Sequence, residues 1–277
     1  MNERLSTQTP VPETGGKFRF KVIVTNGEAS GEIDLPPLDF DDLSIDLLSD
    51  GSLVIVNMQK PWTSKGKSDI SGLIFDPASG GRTQFFAGPG VHQIGVDGKD
   101  RIWVSYFDWG VHGIFDLGAG EANPEVRMGP VLIGGAGLNC FDRTGALIWQ
   151  HDQTERQINE CAALNVADDA THFFFADDFD LGTVSGAFAT SYCKINLKNS
   201  HRFAISPTRV LFIGGHRSSL GAAYLFSLDA AGAVGPQKCS LMAPGGQILK
   251  RGRAVGRGSR LHLFTRTDWY SVDLADI

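Results

Sequence analysis

The sequence predicts an all-β fold, a five-bladed β-propeller, because one short phrase recurs along the chain. The phrase is an alternating apolar run closed by Asp or Asn, and its copies are GLIFDPASG from Gly72, GLNCFDRTG from Gly137, YCKINLKNS from Tyr192, YLFSLDAAG from Tyr224 and WYSVDLADI ending at Ile277. Such alternation before a turn residue is typical of a strand that enters a hairpin. Reuse of a sheet unit every ~40 to 50 residues is typical of propellers.

A strand pair precedes each copy and completes the predicted blades. The inner strands of these pairs start near Asp42, Val91, Ile158, His201 and Gly252. Only 26 residues remain from Gly252 to the last residue, whereas residues 18–37 read as two strands around Asn26-Gly27. We therefore expect five blades, the last assembled from both chain ends, because such closure removes exposed sheet edges. A six-bladed ring with one degenerate blade is the alternative.

The chain divides into a leader, a propeller and one inserted loop. Residues 1–17 are polar and are expected to be a disordered leader, and residues 18–277 are expected to be a single propeller domain. Residues 109–135 are rich in Gly, contain two prolines and separate the second and third strands of one blade. Long loops of this kind are often lids or binding loops.

Composition narrows the class of protein. Of the 277 residues, 42% are apolar and 20% are charged, which is ordinary for a folded soluble chain. No apolar run is long enough for a membrane helix, and the first residues do not form an export signal, so we expect a cytoplasmic protein with no membrane partner. The net charge of −6 and the lack of a basic run argue against a nucleic-acid partner. The four cysteines are expected to be free thiols.

Polar residues follow the second strands at equivalent positions and predict a ligand-binding funnel. These positions are Gln59, Asp108, Asp178, His216 and Asp268. Near them in the sequence are Trp109, His112, Arg266 and Trp269, and the starts of the inner strands add His92, Asn159 and Glu160. Carboxylates and amides that alternate with tryptophans suit a small polar molecule or a sugar. The alternative is that these residues cap strands, because Asp is a preferred turn residue.

Three acidic residues are the candidate catalytic groups. Asp108, Glu160 and Asp178 would face one funnel, where burial and mutual repulsion separate the pKa values of carboxyl groups. That separation suits acid and base roles in glycoside cleavage, lactone hydrolysis or elimination. The same oxygen atoms suit calcium or another hard divalent ion, so the cofactor is left open. No histidine falls in a recognised metal-ligand spacing.

The function that these residues predict is binding of a small polar molecule at the funnel, with hydrolase or lyase chemistry as an extension. His216 and Arg266 would orient the ligand, and Trp109 or Trp269 would supply an apolar wall. The competing hypothesis is a noncatalytic platform on which a peptide or protein docks. Exposed tryptophans on a shallow surface would favour docking, and a deep funnel would favour the small molecule.

Three phrases carry a resemblance to other proteins. RIWVSYFDWGVHG, GLNCFDRTGALIWQ and ECAALNVADDATHFFFADDFDLG resemble stretches of a group of uncharacterised bacterial β-propeller proteins, from about Val91 to Leu181. The resemblance implies the fold and no assigned activity. The layout is also similar to that of sugar-lactone hydrolases and other propeller enzymes with a central metal, but their ligand motifs are not matched here.

Overall fold

Five antiparallel sheets arranged in a ring form the body of the protein, which confirms the predicted five-bladed propeller. The computed structural model describes residues 4–7, 11–12, 18–25, 30–40, 42–58, 70–113, 133–198, 200–214, 222–249 and 252–277. Within these ranges no helix is long and apolar enough to cross a membrane. In the described part of the chain the core is built almost entirely from strands.

The strands are short and follow one another along the chain. The first five are β1 (Arg4–Thr7), β2 (Val11–Pro12), β3 (Phe18–Arg19), β4 (Lys21–Thr25) and β5 (Ser30–Asp34). Of these, β1, β4 and β5 form a three-stranded N-terminal sheet, and β2 pairs with β3. Strands β1 and β2 lie inside the segment 1–17 that the sequence marks as a leader.

The ring sheets, numbered 1 to 5 in chain order, take up the rest of the chain. Sheet 1 contains β6 (Leu43–Leu47), β7 (Leu53–Asn57), β8 (Gly72–Phe75) and β9 (Arg82–Phe85). Sheet 2 contains β10 (Val91–Val96), β11 (Ile102–Tyr106), β12 (Leu138–Phe141) and β13 (Leu147–Gln150). Sheet 3 contains β14 (Cys161–Val166), β15 (Ala170–Phe175), β16 (Asp180–Ser185) and β17 (Thr190–Lys194).

The last two ring sheets differ in strand number. Sheet 4 contains β18 (Arg202–Ser206), β19 (Arg209–Ile213), β20 (Ala222–Asp229) and β21 (Gly232–Ser240). Sheet 5 has three strands, β22 (Arg253–Arg257), β23 (Arg260–Phe264) and β24 (Trp269–Asp273). The helices among the described residues are α1 (Asp108–His112) and two 3-10 turns, Ile133–Ala136 and Leu274–Asp276.

The strand register gives the ring two distinct ends. Each inner strand pairs antiparallel with the second strand of its sheet, so that Val91 pairs with Tyr106 and Cys161 with Phe175. The start of every inner strand therefore lies beside the end of a second strand. We call this end the mouth end, defined by the first residues of the inner strands, Leu43, Val91, Cys161, Arg202 and Arg253. The opposite end is the base.

Five apolar clusters hold successive sheets together, each between two neighbours. The second strands supply both faces of this packing because their side chains alternate between the two neighbouring sheets. In sheet 1, Val54 and Val56 pack toward sheet 2, whereas Leu53 and Ile55 pack toward the N-terminal sheet. Trp103 and Phe174 lie in the apolar second strands of sheets 2 and 3, where the sequence predicts side chains packed between neighbouring sheets, and both are 0% exposed. All four cysteines are free thiols; Cys140 and Cys161 are buried as expected, whereas Cys193 and Cys239 are partly exposed.

The two chain ends do not share a sheet, which differs from the predicted composite last blade. β22–β24 pair with one another, and β1, β4 and β5 pair with one another; no ladder among the described residues joins the two sets. The reason is the uncovered apolar face of sheet 1. Phe20 and Val22 cover that face against Leu53 and Ile55, so apolar burial decides where the N-terminal hairpin packs.

Candidate functional site

The structure brings most of the predicted site residues to the mouth end. Asp108, Asp178 and Asp268 each follow a second strand, and Asn159 and Glu160 directly precede inner strand β14. This common end agrees with the predicted alignment of the strands. Gln59 and His216 lie outside the described residues.

Two of these carboxylates make contacts of the kind that cap turns. Asp108 begins α1, and its Oδ1 accepts a hydrogen bond from the backbone N–H of Trp109 at 2.7 Å. Asp268 accepts a hydrogen bond from Thr267 Oγ1 at 2.6 Å, and its backbone N–H donates to Thr265 Oγ1 at 2.9 Å. Both side chains are exposed. Their present partners are therefore local, as in the strand-capping alternative.

Cations neutralise the carboxylates of sheet 3. Asp178 lies 3.6 Å from Arg156 Nη1. The buried Asp180 lies 3.0 Å from Arg156 Nη2 and 3.3 Å from Lys194 Nζ. The Asp177 carboxylate accepts two hydrogen bonds from Asn159, each at 2.7 Å. Among the described residues no group of three or more His, Cys, Asp or Glu side chains is arranged to hold a metal ion.

Arg202 places a largely buried cation at the mouth end. It occupies a position that Val91 and Cys161 fill in sheets 2 and 3, and its Nε donates a hydrogen bond to the Ala254 carbonyl at 2.9 Å. Its Nη1 donates to the His201 carbonyl. Burial, and then the nearby Arg253 cation, lower the pKa of Arg202 to about 10, so it remains charged at neutral pH. Within the described ranges no carboxylate pairs with this guanidinium.

His92 lies beside Arg202 and is neutral. A register shift between Val91 and Gln93 leaves His92 unpaired in the ladder, and bulges of this kind redirect a side chain. Its Nδ1 is 3.0 Å from the Cys161 carbonyl oxygen, and its ring centroid is 5.9 Å from that of His201. Burial, and then the Arg202 cation, lower the pKa of His92 to about 3.

Two aromatic rings continue from His92 toward the rim. Phe107 stacks on His92 with centroids 3.9 Å apart, and Trp109 is parallel to Phe107 at 6.4 Å. The backbone at Gly90 allows α1 to approach, since a Cβ there would lie 2.4 Å from the Gly110 Cα. The helix thus holds Trp109, half-buried, at the end of an aromatic row.

Polar side chains link the inner strands below the mouth. Gln93 Nε2 donates to the Ala162 carbonyl at 3.1 Å, and its Oε1 accepts from the Leu164 N–H at 3.2 Å. Asn165 Nδ2 donates to the Phe203 carbonyl of β18 at 2.9 Å, and its Oδ1 accepts from the N–H of Gly258, just after β22, at 2.7 Å. These amides give the mouth a floor.

The remaining predicted residues lie at the rim or on an outer strand. His112 and Arg266 are exposed. Trp269 stacks on Phe264 at 6.3 Å and has an edge contact with His262. No contact among these described residues joins them to the basic group at Arg202.

Sequence reasoning missed Arg202 and did not select His92 as a site residue. The signal was present, because aligning the inner strands places Arg202 where other sheets have Leu43, Val91 and Cys161. A long cation stands at this position in sheets 4 and 5, as Arg202 and Arg253, and departs from the apolar residues of the first three sheets. Such departures are where function is expected in repeat folds.

No protein-family model matches the chain, and no curated protein sequence matches it. Among solved structures, a streptogramin B lyase structure is similar with a TM-score of 0.51 and 11% identity, over 96% of this chain and 78% of that one. Dihydro-heme d1 dehydrogenase NirN in complex with DHE has a TM-score of 0.53 and 14% identity, over 96% of this chain and 51% of that one. Kluyveromyces lactis Hsv2 has a TM-score of 0.50 and 10% identity, over 98% of this chain and 75% of that one.

These likenesses show the propeller fold and nothing more specific. Two of these three proteins are different enzymes by name, a lyase and a dehydrogenase, on one architecture. A shared propeller does not fix an activity, so function has to be argued from the site.

Proposed function

We propose that the protein binds a small polar molecule that carries an anionic group, with Arg202 at the mouth end as its binding site. The observation that carries this proposal is the charged, largely buried Arg202, whose partners in the described part of the chain are main-chain carbonyls. A desolvated cation without a counter-charge is costly, and a bound carboxylate or phosphate would supply that charge. A guanidinium is well suited to either anion.

The surroundings of Arg202 support a ligand of modest size. His92 and the Phe107 ring border the same end of the axis, and Gln93 closes it below. Aromatic faces suit the apolar side of a small molecule, and the amide floor limits its depth. Asp108 and Glu160 at this end are the acidic groups that hydrolysis or elimination of the bound molecule would use.

The competing function, a docking platform for a peptide, has one observation in its favour. Asp108, His112, Arg266 and Asp268 are exposed at the mouth end, as a contact surface would require. Such a surface would use the rim, whereas a small anion would use Arg202. Anion binding to a variant that lacks Arg202 therefore distinguishes the two proposed functions.

Titration of anions into Arg202→Met tests the proposal. Inorganic phosphate, acetate and lactate would be titrated by calorimetry and NMR at low salt, because screening weakens such contacts. We expect at least one anion to bind, and Arg202→Met to weaken it tenfold or more, about 1.4 kcal/mol. Arg82→Met, which removes an exposed cation from the outer strand β9, is the matched control and should bind as wild type does.

Two results would contradict the proposal. One is the failure of all three anions to bind the wild-type protein. The other is equal affinity in wild type and in a correctly folded Arg202→Met, which would direct attention to the exposed rim.

A further inference from the structure

The hydrogen bond of His92 fixes which of its nitrogens is available to a ligand. A carbonyl oxygen only accepts, so the contact between Nδ1 and the Cys161 oxygen at 3.0 Å requires the proton on Nδ1. Because the ring is neutral, Nε2 then carries a lone pair. The contact given for His92 in the described ranges is made through Nδ1, and Nε2 is not among the fully buried unpartnered atoms of these ranges, while His92 keeps 6% of its surface exposed. Nε2 is thus an acceptor that a donor from solution can reach.

We infer that Nε2 of His92 accepts a hydrogen bond from a hydroxyl of the ligand whose anionic group Arg202 binds, and that the ligand is a small hydroxycarboxylate. This inference rests on the proposed function and adds the chemical class of the ligand. An acceptor and a cation side by side match a molecule with a donor next to an anion. A simple alkyl carboxylate would leave Nε2 without a partner, which is unfavourable in a largely buried site.

The surrounding charges select a hydroxyl over an amine. An amino acid also carries a donor beside a carboxylate, but its ammonium group is positively charged. Arg202 and Arg253 are close enough for the second cation to lower the pKa of the first, so an added positive charge would be repelled. An uncharged hydroxyl avoids that repulsion. Phe107, stacked on His92, provides an apolar face for the carbon skeleton.

Three probes on one carbon skeleton test the inference. Lactate carries the hydroxyl, propionate lacks it, and alanine replaces it with an ammonium group. NMR titration of the wild-type protein should show lactate binding at least tenfold more tightly than propionate or alanine. In His92→Leu, lactate should weaken to within about twofold of propionate, while propionate itself should be unchanged. The control is His172→Leu, since His172 contacts Thr183 on the next strand of sheet 3.

The possible failures are distinguishable. If propionate binds as tightly as lactate, the hydroxycarboxylate inference is overturned and the anion site stands. If lactate, propionate and phosphate all fail to bind, the proposed function falls and the inference with it. Should His92→Leu not fold, long-range 1H–15N NMR of the wild-type imidazole decides: Nε2 should be unprotonated at pH 7 and should shift with lactate but not with propionate. A protonated Nε2 would overturn the inference.

Discussion

At the scale of single residues, the mouth combines a permanent cation with a histidine that stays neutral. Arg202 remains charged although burial lowers its pKa to about 10. The same burial, with Arg202 beside it, lowers the pKa of His92 to about 3. A protein with a net charge of −6 therefore places a buried cation beside a hydrogen-bond acceptor at this end. Local environment, and not overall charge, sets the chemistry of the site.

His92 should make the fold sensitive to acid. Its pKa is near 6.5 in the unfolded chain and about 3 in the folded protein, so between these values the unfolded state binds more protons. Stability should therefore be unaffected above pH 6.5 and should decline by ~1.4 kcal/mol per pH unit as the pH falls toward 3.

Denaturant unfolding between pH 7 and pH 4 measures this effect. In His92→Gln, which cannot titrate, the free energy of unfolding should fall less steeply with pH than in wild type. The difference between the two slopes should be about the slope given above for His92. His112→Gln, at an exposed position of α1, is the control and should keep the wild-type slope. Parallel pH profiles for wild type and His92→Gln would show that the buried imidazole does not titrate as described.

At the scale of elements, alternation along each second strand joins two neighbouring sheets. β11 is buried along its whole length, with Trp103 toward sheet 3 and Val104 toward sheet 1. This pattern is local, so the sequence was sufficient to predict the strands, their register and the burial of Trp103. The position of the N-terminal hairpin was not predictable in the same way, because it depends on which sheet face the rest of the chain leaves uncovered.

Truncation of either buried ring should be severely destabilising. Trp103→Ala and Phe174→Ala each remove a fully buried aromatic side chain, which costs ~3 to 5 kcal/mol through lost burial and a cavity. Urea unfolding measures the loss. Ile148→Ala on the outer strand β13, where the side chain is 44% exposed, should change stability by less than ~0.5 kcal/mol. Losses below ~1 kcal/mol for both aromatic variants would contradict the packing.

Deletion of residues 1–38 should expose the covered face of sheet 1. Leu53, Ile55 and Phe75 would lose their contacts with Phe20 and Val22. We expect a protein that aggregates or melts well below the wild-type temperature, because both an apolar face and a sheet become available to other chains. Size-exclusion chromatography and thermal unfolding check this. A soluble truncated chain with the wild-type melting temperature would disprove the role of the hairpin.

At the scale of the whole molecule, one ion pair at the base joins the last inner strand to the first. Arg257 Nη2 donates to both Asp46 carboxylate oxygens at 2.8 Å, and Arg257 Nη1 donates to the Val96 carbonyl at 2.8 Å. The Val96 N–H in turn donates to Asp46 at 2.7 Å. Sheets 1, 2 and 5 are thereby connected through two side chains.

A double-mutant cycle on Asp46→Ala and Arg257→Met should reveal this connection. We expect a coupling energy of ~1 to 2 kcal/mol in the free energy of unfolding, because the contact is bidentate and Asp46 is largely buried. The exposed Lys21–Glu32 pair offers a matched control, expected below ~1 kcal/mol. Additive effects of the two ring substitutions would mean that the pair does not close the ring.

The site was less predictable than the fold because it joins residues that are distant in the chain. Asp108, Asp178 and Asp268 could be aligned from the repeat, and they do lie at one end. His92 and Arg202 become neighbours only after β10 and β18 pack into the ring, with sheet 3 between them in the chain. The proximity of His92 and Arg202 arises from that packing, and no spacing in the sequence encodes it.

The close contact of the inner strands has a kinetic consequence. Gly256 lies so near Phe203 that a Cβ would be 1.7 Å from its carbonyl oxygen, and the Gln93 and Asn165 amides link inner strands above the base. The ligand proposed for Arg202 would therefore enter and leave at the mouth end. If that ligand is a substrate, a product that keeps its anionic group would compete with it for Arg202.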